Sequence, residues 1–254
     1  MQTHSDRKSW LTGGNARCAT TPGRPPRPYR LVLLGAPGVG KGTQAELLCE
    51  QLGACHLSTG DIFRAAKSCA GRTPTRAMSQ ALDCMRRGEL VPDDTVVSLI
   101  AERATCLRCA GGFLLDGFPR TLAQAGKLDN LLANLGVSLD AVISYDLPIA
   151  KIEARLGGRR TCSRCKAVFH VETRPPLAPG ICDHCCAPLF QREDDRPEAV
   201  RVRMEVYERS TAPLADSYRK QNLLLSIAAD GSPEEICQRA MQALSRRTNS
   251  PSWA

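Results

Sequence analysis

Apolar residues occur along this chain in short, mostly apolar runs, which alternate with longer segments of helical periodicity. The runs lie at 31–34, 55–57, 113–115, 141–145 and 223–229. Short runs without regular polar alternation are typical of strands that are buried on both faces of a sheet. Because these strands alternate with helices, the pattern predicts an α/β protein with a five-stranded parallel sheet covered by helices on both faces.

Between the runs, apolar residues recur at intervals of three and four positions, which predicts amphipathic helices. Two predicted helical faces comprise Met78, Ala81, Leu82 and Met85, and Val97, Ile100, Ala101 and Ala104. Asp93 is the predicted N-cap of the second helix, and Thr121 opens a helix that reaches Leu135. The stretch 232–235 reads Ser-Pro-Glu-Glu, a capping box with proline at the first helical position, so a final helix is expected to begin there.

Composition and charge restrict the class of protein. The 254 residues, 43% of them hydrophobic, suffice for one large domain or for a core with inserts. No stretch approaches the roughly 18 apolar residues of a membrane span, and the start lacks the apolar segment of a secretory signal. Thirteen mostly scattered cysteines are unlike a disulfide scaffold. We therefore expect a reduced, cytoplasmic location without membrane contact.

The basic charge is concentrated at the N-terminus. Of the net charge of +8, residues 1–30 hold +5, so the rest of the chain is only weakly basic and nucleic acid is not an expected partner. Residues 1–28 are rich in Ser, Thr, Pro, Gly and Arg. This composition predicts a disordered extension or a start codon assigned too far upstream, with an organelle transit peptide as the alternative. Nothing in this extension is expected to pack on the core. The tail 246–254 is expected to fray.

A glycine-rich stretch from Gly35 to Thr43 joins the first predicted strand to a helical segment, 44–52, that Gly53 ends. Strand, glycine-rich turn and helix form the context that a phosphate-binding loop requires, and a chance turn would not combine all three. The glycines allow successive N–H groups to surround an anion at the helix N-terminus. Lys41 then supplies a positive charge for phosphates, and Thr43 offers a hydroxyl on the Mg²⁺ side.

An acidic residue follows the third run. Asp116 stands at the carboxyl end of the predicted strand 113–116. This is the place where the acid on the Mg²⁺ side lies in enzymes that bind nucleotides through such a loop. We therefore expect Asp116 to orient Mg²⁺ through water beside the phosphate-binding loop.

The spacing of four cysteines predicts a structural zinc site. Cys162 and Cys165 form one C-x2-C pair, and Cys182 and Cys185 form a second pair after 16 intervening residues. Such pairs offer four thiolates in tetrahedral arrangement, which leaves no open position for catalysis. His170, His184 and Cys186 are nearby substitutes that break the spacing. Two disulfides or free thiols are the alternative interpretation.

Six motifs together resemble those of the adenylate kinases, in the long-lid form that carries zinc in the lid. They are GAPGVGKGTQ at 35–44, STGDIFRAA at 58–66, GELVPD at 88–93, LDGFPRT at 115–121, RLGGRR at 155–160 and QREDDRPEAVRVR at 191–203. The resemblance implies a nucleoside monophosphate kinase over 29–245 that transfers the terminal phosphoryl of MgATP to AMP, giving two ADP. It implies a P-loop core with two inserts, an AMP-binding segment at 58–91 and a zinc lid at 158–195.

The resemblance also implies roles for individual residues. The residues implied for ATP binding are Gly38, Val39, Gly40, Lys41, Gly42, Thr43, Arg155, Arg159, Val168, Phe169 and Pro233. The residues implied for AMP binding are Thr59, Arg64, Glu89, Leu90, Val91, Gly117, Phe118, Pro119, Arg120, Gln124, Arg192 and Arg203. The residues implied for catalysis are Lys41, Asp116, Arg120, Arg159, Arg192 and Arg203. A monomer is expected.

Three alternatives remain at this point. One is a kinase for another nucleoside monophosphate, and another is a relative that uses GTP to phosphorylate AMP. The third belongs to a different class, a zinc ribbon that binds nucleic acid and is switched by a nucleotide. The third lacks the aromatic residues and the basic stripe that single-stranded nucleic acid requires.

Overall fold

The structure, a computed structural model, describes Trp10 and residues 27–68 and 76–248, apart from the side chains of 64–68, 76–80, 104 and 248. The strands are β1 (Tyr29–Gly35), β2 (Cys55–Ser58), β3 (Gly112–Asp116), β4 (Ala141–Asp146), β5 (Arg159–Cys162), β6 (Val168–His170), β7 (Leu189–Phe190) and β8 (Leu224–Ala228). The helices are α1 (Lys41–Leu52), α2 (Thr59–Ser68), α3 (Arg76–Arg87), α4 (Asp93–Ala101), α5 (Ala104–Leu107), α6 (Leu122–Asn134), α7 (Ile149–Gly158), α8 (Pro197–Val206), α9 (Pro213–Lys220) and α10 (Pro233–Thr248).

Five strands form one parallel sheet in the order β2-β3-β1-β4-β8. The predicted α/β fold with a five-stranded parallel sheet is therefore confirmed. In the register, Asp116 at the end of β3 stands beside Leu33 of β1 and Ser58 of β2. The carboxyl ends of the three strands consequently meet at one edge of the sheet, where ligands bind in open α/β folds.

Alternate residues of the central strands pack into two different apolar clusters. Val32 and Leu34 of β1 belong to the cluster that contains α4 and α6, whereas Leu31 and Leu33 belong to the cluster that contains α1 and α10. All four side chains are at most 4% exposed. Burial on both faces explains why the sequence shows continuous apolar runs rather than alternation.

A smaller antiparallel sheet, in the order β6-β5-β7, forms the segment that was predicted as a lid. Its own small core consists of Phe169, Ala187 and the buried Cys162 and Cys182. Ile181, an apolar residue of the same segment, is 46% exposed and is not part of this core. The cysteines, rather than aliphatic side chains, therefore hold the interior of this sheet. The insert boundaries 58–91 and 158–195 remain predictions.

Several predicted helix boundaries shift. Helix α1 begins at Lys41, inside the glycine-rich stretch, and α10 continues to Thr248, beyond the predicted end of the fold at 245. Asp93 is not an N-cap but the first residue of α4, because its carboxylate accepts hydrogen bonds from Thr121 and Gln124 instead. The capping box of α10 is confirmed, since Ser232 and Glu235 exchange hydrogen bonds between side chain and backbone.

The predicted face of α4 is correct at Ile100 but differs from the buried face at its other positions. The helix ends at Ala101, and Val96, Leu99 and Ile100 are its buried residues. Arg103 continues this buried face at the same spacing and is only 7% exposed. Of the other predicted residues, Val97 is half-buried and Ala101 is exposed, while the Ala104 side chain lies outside the described residues.

The expectation that nothing in residues 1–28 packs on the core is wrong for Trp10. Its side chain is 2% exposed and belongs to the larger apolar cluster, and its indole N–H donates to the Ser58 carbonyl at 2.9 Å. Residues 1–9 and 11–26, and the predicted tail from 249 onward, lie outside the described residues. Among the described helices, none is both long enough and apolar enough to cross a lipid bilayer.

Candidate active site

The phosphate-binding loop has the backbone geometry that its glycines predict. Gly38 has φ +81° and Gly40 has φ +107°, and Gly40 is the N-cap of α1. A Cβ at Gly38 would lie only 2.6 Å from the Leu156 side chain, so no larger residue fits there. The loop therefore turns tightly and presents the N-terminus of α1 to the cleft, as an anion site requires.

Lys41 folds back over this loop. Its ammonium group donates to the carbonyls of Gly35 at 2.7 Å and Ala36 at 2.9 Å. Burial lowers the pKa of Lys41 from 10.5 to about 7; Asp116 acts in the opposite direction, and Arg120 and other arginines add to the lowering. The negative charge of a bound phosphate would raise the pKa of Lys41 again and favour its protonated form.

Asp116 connects the phosphate-binding loop with the end of β2. Its side chain contacts His56 Nε2 at 3.4 Å, and its carbonyl accepts from the Thr59 hydroxyl at 3.3 Å. Burial raises the pKa of the Asp116 carboxyl, but the His56 hydrogen bond and the charges of His56, Lys41 and Arg120 outweigh it and lower the pKa to about 2. Asp116 is thus an anion at neutral pH and a suitable oxygen donor toward Mg²⁺.

The predicted AMP side contains a buried polar network around Gln124, which is 1% exposed. Its amide nitrogen donates to Asp93 at 2.6 Å, and its amide oxygen accepts from the Arg120 backbone N–H at 2.7 Å. Thr121 donates to the same Asp93 carboxylate at 2.9 Å. The network fixes the chain from 117 to 124, while Arg120 donates through Nε to the Gly117 carbonyl at 2.8 Å.

Two acidic residues hold the arginines that come from the lid side. Asp195, whose side chain has no exposed surface, accepts from both Nε and Nη2 of Arg159 and from Arg203 at 3.3 Å. Asp194 pairs with Arg203 at 3.0 Å. Arg192 donates to the Thr161 hydroxyl at 2.9 Å. Three of the predicted phosphate-binding arginines are therefore positioned by neighbouring polar groups.

One cleft brings the two predicted nucleotide sites together. Its lining includes Gly35 and Lys41 from the phosphate-binding loop, Leu90 and Gly117 from the AMP side, and the two arginines Arg120 and Arg203. The cleft therefore places the side chains of Lys41, Arg120 and Arg203 between the predicted ATP side and the predicted AMP side.

Other predicted residues lie around this cleft rather than in it. Arg155 bridges the Val39 carbonyl at 2.9 Å and the Ala229 carbonyl at 3.0 Å, which connects the phosphate-binding loop to the segment after β8. The Pro233 carbonyl accepts from Gln44 at 2.8 Å. Phe169 is buried in the core of the lid, and Val168 beside it is half-buried.

The remaining predicted AMP-site residues differ in their exposure. Glu89 is exposed and pairs with Arg87 at 2.7 Å, whereas Val91 is buried. Phe118 is 1% exposed and packs in the core. The Arg64 side chain lies outside the described residues.

The four predicted cysteine ligands converge on one point. Their sulfur atoms all lie within 4.8 Å of one another, with Cys162 and Cys185 at 3.4 Å and Cys165 and Cys182 at 3.5 Å. Tetrahedral Zn–S bonds of about 2.3 Å require sulfur separations of this order. The donor set therefore fits a structural zinc ion.

The two C-x2-C turns repeat one geometry. In each turn the first cysteine N–H donates at 2.9 Å to a carbonyl five residues later, that of Ala167 or Ala187. The residue after each pair, Lys166 or Cys186, has positive φ. Cys186 is exposed and does not join the cluster, which supports the predicted ligand register.

Hydrogen bonds favour a thiolate at one position of the cluster. Burial raises the pKa of Cys162, but the N–H groups of Cys165 and Arg164 donate to its sulfur and lower the pKa to about 6. Burial raises the pKa of Cys165 to about 12. Four thiolates at these distances repel one another strongly, so a bound cation is needed to ionise the whole set.

Sequence reasoning missed five residues that organise this site: His56, Asp93, Asp194, Asp195 and Thr211. Thr211 donates to the Arg120 carbonyl at 2.9 Å. Asp194 and Asp195 lie within the motif at 191–203, close in sequence to Arg192 and Arg203. This proximity could have predicted that they pair with arginines. The other three act on partners far along the chain and leave no local pattern.

Comparisons with known proteins agree with this geometry. A family model described as adenylate kinase matches residues 33–223. The adenylate kinase of Carboxydothermus hydrogenoformans is 46% identical over 217 residues, which are 85% of this chain and 100% of the relative. The adenylate kinase of Acidothermus cellulolyticus is 48% identical over 216 residues, and that of Streptomyces avermitilis is 46% identical over 218, each covering 85% of this chain and 97% of the relative.

Proposed function

The chain belongs to the adenylate kinase family, and from that premise we propose how its residues carry out the reaction. The enzyme transfers the terminal phosphoryl group of MgATP reversibly to AMP and produces two ADP. A kinase for another nucleoside monophosphate and a relative that uses GTP are not favoured, because the similar proteins are named adenylate kinases. A nucleic-acid-binding ribbon is likewise not favoured, since the cysteine module is inserted within the residues that the family model matches.

The phosphate-binding loop and the sheet edge hold MgATP in this proposal. Backbone N–H groups from Gly38 to Thr43 bind the phosphates, and Lys41 leaves the Gly35 and Ala36 carbonyls to contact the β- and γ-phosphates. The Thr43 hydroxyl and the Asp116 carboxylate are hard oxygen donors of the kind that Mg²⁺ prefers, Asp116 acting through water. When bound with ATP, Mg²⁺ neutralises charge on the β- and γ-oxygens.

AMP occupies the other end of the cleft. We assign its recognition to Thr59, Arg64, the chain at 89–91, the turn at 117–120 and Gln124. An oxygen of the AMP phosphate attacks the γ-phosphorus while the bond to the bridging oxygen of ADP breaks. The phosphate is already an anion at neutral pH, so alignment and electrostatic stabilisation suffice without a general base.

The arginines complete the site when both substrates are present. Arg120 and Arg203 already line the cleft, whereas Arg159 is held by Asp195 at its edge. We propose that Arg159 and Arg192 move toward the transferring phosphoryl group as the lid closes, with Arg155, Val168, Phe169 and the Pro233 carbonyl on the ATP side. Closure would exclude water, and the adenylate kinase lid is a general example of such gating.

The lid is proposed to contain one structural zinc ion bound by Cys162, Cys165, Cys182 and Cys185. The supporting observation is the convergence of four sulfurs with two of them buried among the few apolar residues of the lid. A small sheet with so little apolar interior gains its stability largely from metal binding. None of these four cysteines is among the described residues that line the cleft, so the ion would stabilise the lid rather than take part in the reaction.

We also propose that the protein acts as a monomer in the cytoplasm. A four-thiolate site requires reduced cysteines, which the cytoplasm maintains. Light scattering coupled to size-exclusion chromatography tests the monomer directly, because a dimer would double the mass of 27.5 kDa.

The observation that carries the function is the shared cleft of Lys41, Arg120 and Arg203, which joins the phosphate-binding loop to a second phosphate site. A transfer assay with ATP and GTP as donors, and AMP, GMP, CMP and UMP as acceptors, tests the assignment. The ATP and AMP pair should give the highest kcat/KM. A higher kcat/KM with GTP as donor, or with a pyrimidine acceptor, would overturn it.

A further inference from the structure

Trp10 belongs to the core although it lies outside residues 33–223, which the family model matches. The residue is 2% exposed and belongs to the same apolar cluster as Leu57, Ile62 and Leu107. These members of the cluster come from β2, α2 and α5. An indole buried this fully contributes a large apolar area at the position where it docks.

The first polar contact of Trp10 is with Ser58, the residue directly before Thr59 of the proposed AMP site. Its indole N–H donates to the Ser58 carbonyl at 2.9 Å, in the last residue of β2. The next residue, Thr59, donates through its hydroxyl to the Asp116 carbonyl at 3.3 Å. The peptide that Trp10 holds is therefore the one that sets the position of Thr59.

The second polar contact reaches the same site from another direction. Arg103, 7% exposed, donates through Nε to the Trp10 carbonyl at 2.6 Å and through Nη1 to the Leu99 carbonyl at 2.9 Å in α4. Helix α4 begins at Asp93, which accepts from Gln124. Trp10 thus ties together the two segments, β2–α2 and α4, on which Thr59 and Gln124 depend.

We propose that Trp10, which precedes the residues that the family model matches, is a positioning residue for AMP on the AMP side of the enzyme. This inference rests on the proposed function. Loss of Trp10 should loosen the β2–α2 junction and α4 relative to each other. The ATP side should change little, because Arg155 there donates to the Val39 and Ala229 carbonyls. The hydrogen bonds described for Trp10 and Arg103 instead reach Ser58 and Leu99.

Kinetics of the full chain separate positioning from general stability. Trp10→Phe keeps an aromatic ring at this position but loses the indole N–H and part of the buried apolar area, so KM for AMP should rise about threefold. Trp10→Ala should raise it by about tenfold or more, with kcat and KM for ATP within about twofold of the wild type. Trp253→Phe, which changes the other tryptophan of the chain, is the matched control and should change neither constant.

A readout independent of turnover is the fluorescence of Trp10 in the Trp253→Phe variant, with excitation at wavelengths longer than the tyrosine absorption band. AMP should shift the emission of Trp10 saturably, whereas ATP alone should shift it much less. An unchanged emission on AMP binding, or equal rises of both KM values in Trp10→Phe, would overturn the positioning role. Failure of the wild type to phosphorylate AMP would instead remove the proposed function, and the emission test would still report whether AMP binds beside Trp10.

Discussion

The buried carboxylate of Asp195 offers a quantitative test of how the arginines are held. Its side chain has no exposed surface, while Arg159 and Arg203 keep 18% and 17% of theirs exposed. Asp195→Asn preserves the shape but replaces one acceptor oxygen by a donor that faces guanidinium donors. Breaking a buried pair on one side costs about 3–5 kcal/mol, and partial hydration of the arginines reduces the expected loss to about 2–4 kcal/mol.

Thermal and urea unfolding of the purified variant measure this loss. For a chain of this length it corresponds to a fall in Tm of roughly 5–15 °C. Asp216→Asn is the matched control, because Asp216 and Arg219 form an exposed pair three residues apart. Such a pair contributes at most about 1 kcal/mol, and its removal should change Tm only slightly. Equal changes in the two variants would refute the view that Asp195 organises the arginines.

Three further predictions concern the metal, the phosphate lysine and the acceptor. Cys182→Ser should bind less than the expected one equivalent of zinc and should have a strongly lowered Tm, as measured by metal analysis and melting curves. The neighbouring Cys186→Ser should change neither the zinc content nor the Tm. Loss of metal only in Cys186→Ser would show that the predicted ligand register is wrong. Lys41→Met should fold normally but lose at least about a hundredfold in kcat. The pKa of Lys41 is lowered to about 7, and a bound phosphate should raise it. Calorimetry at about one pH unit above 7 should therefore show that the wild type takes up a proton when MgATP binds. Lys41→Met should show no such uptake. Gln124→Ala should raise KM for AMP more than KM for ATP in steady-state kinetics, and equal increases would contradict its assignment to the acceptor pocket.

The fold was predictable because its signals are local. Strands buried on both faces leave apolar runs, the phosphate-binding loop needs glycines next to Lys41, and two C-x2-C turns have a fixed spacing. The structure therefore confirms the sheet, and it brings the four cysteines together as the spacing predicts.

The contacts that organise the cleft were less predictable, because they join distant parts of the chain. Arg103, two residues after the end of α4, is a charged residue for which the local sequence predicts exposure, yet it is buried and its guanidinium donates to Trp10, 93 residues earlier. Asp93 reads as an N-cap, but its carboxylate is taken by Gln124, 31 residues later. Local capping and periodicity rules cannot anticipate either competition, since each partner is supplied by tertiary packing.

The central claim is that this cleft passes a phosphoryl group directly from ATP to AMP. The most direct measurement follows ATP labelled at the γ-phosphorus in the presence of AMP and Mg²⁺, with Lys41→Met as the inactive control. The account predicts two ADP formed for each ATP consumed, with the label in the β-phosphate of the ADP that arises from AMP. Release of the label as inorganic phosphate, or consumption of ATP that does not depend on AMP, would contradict it.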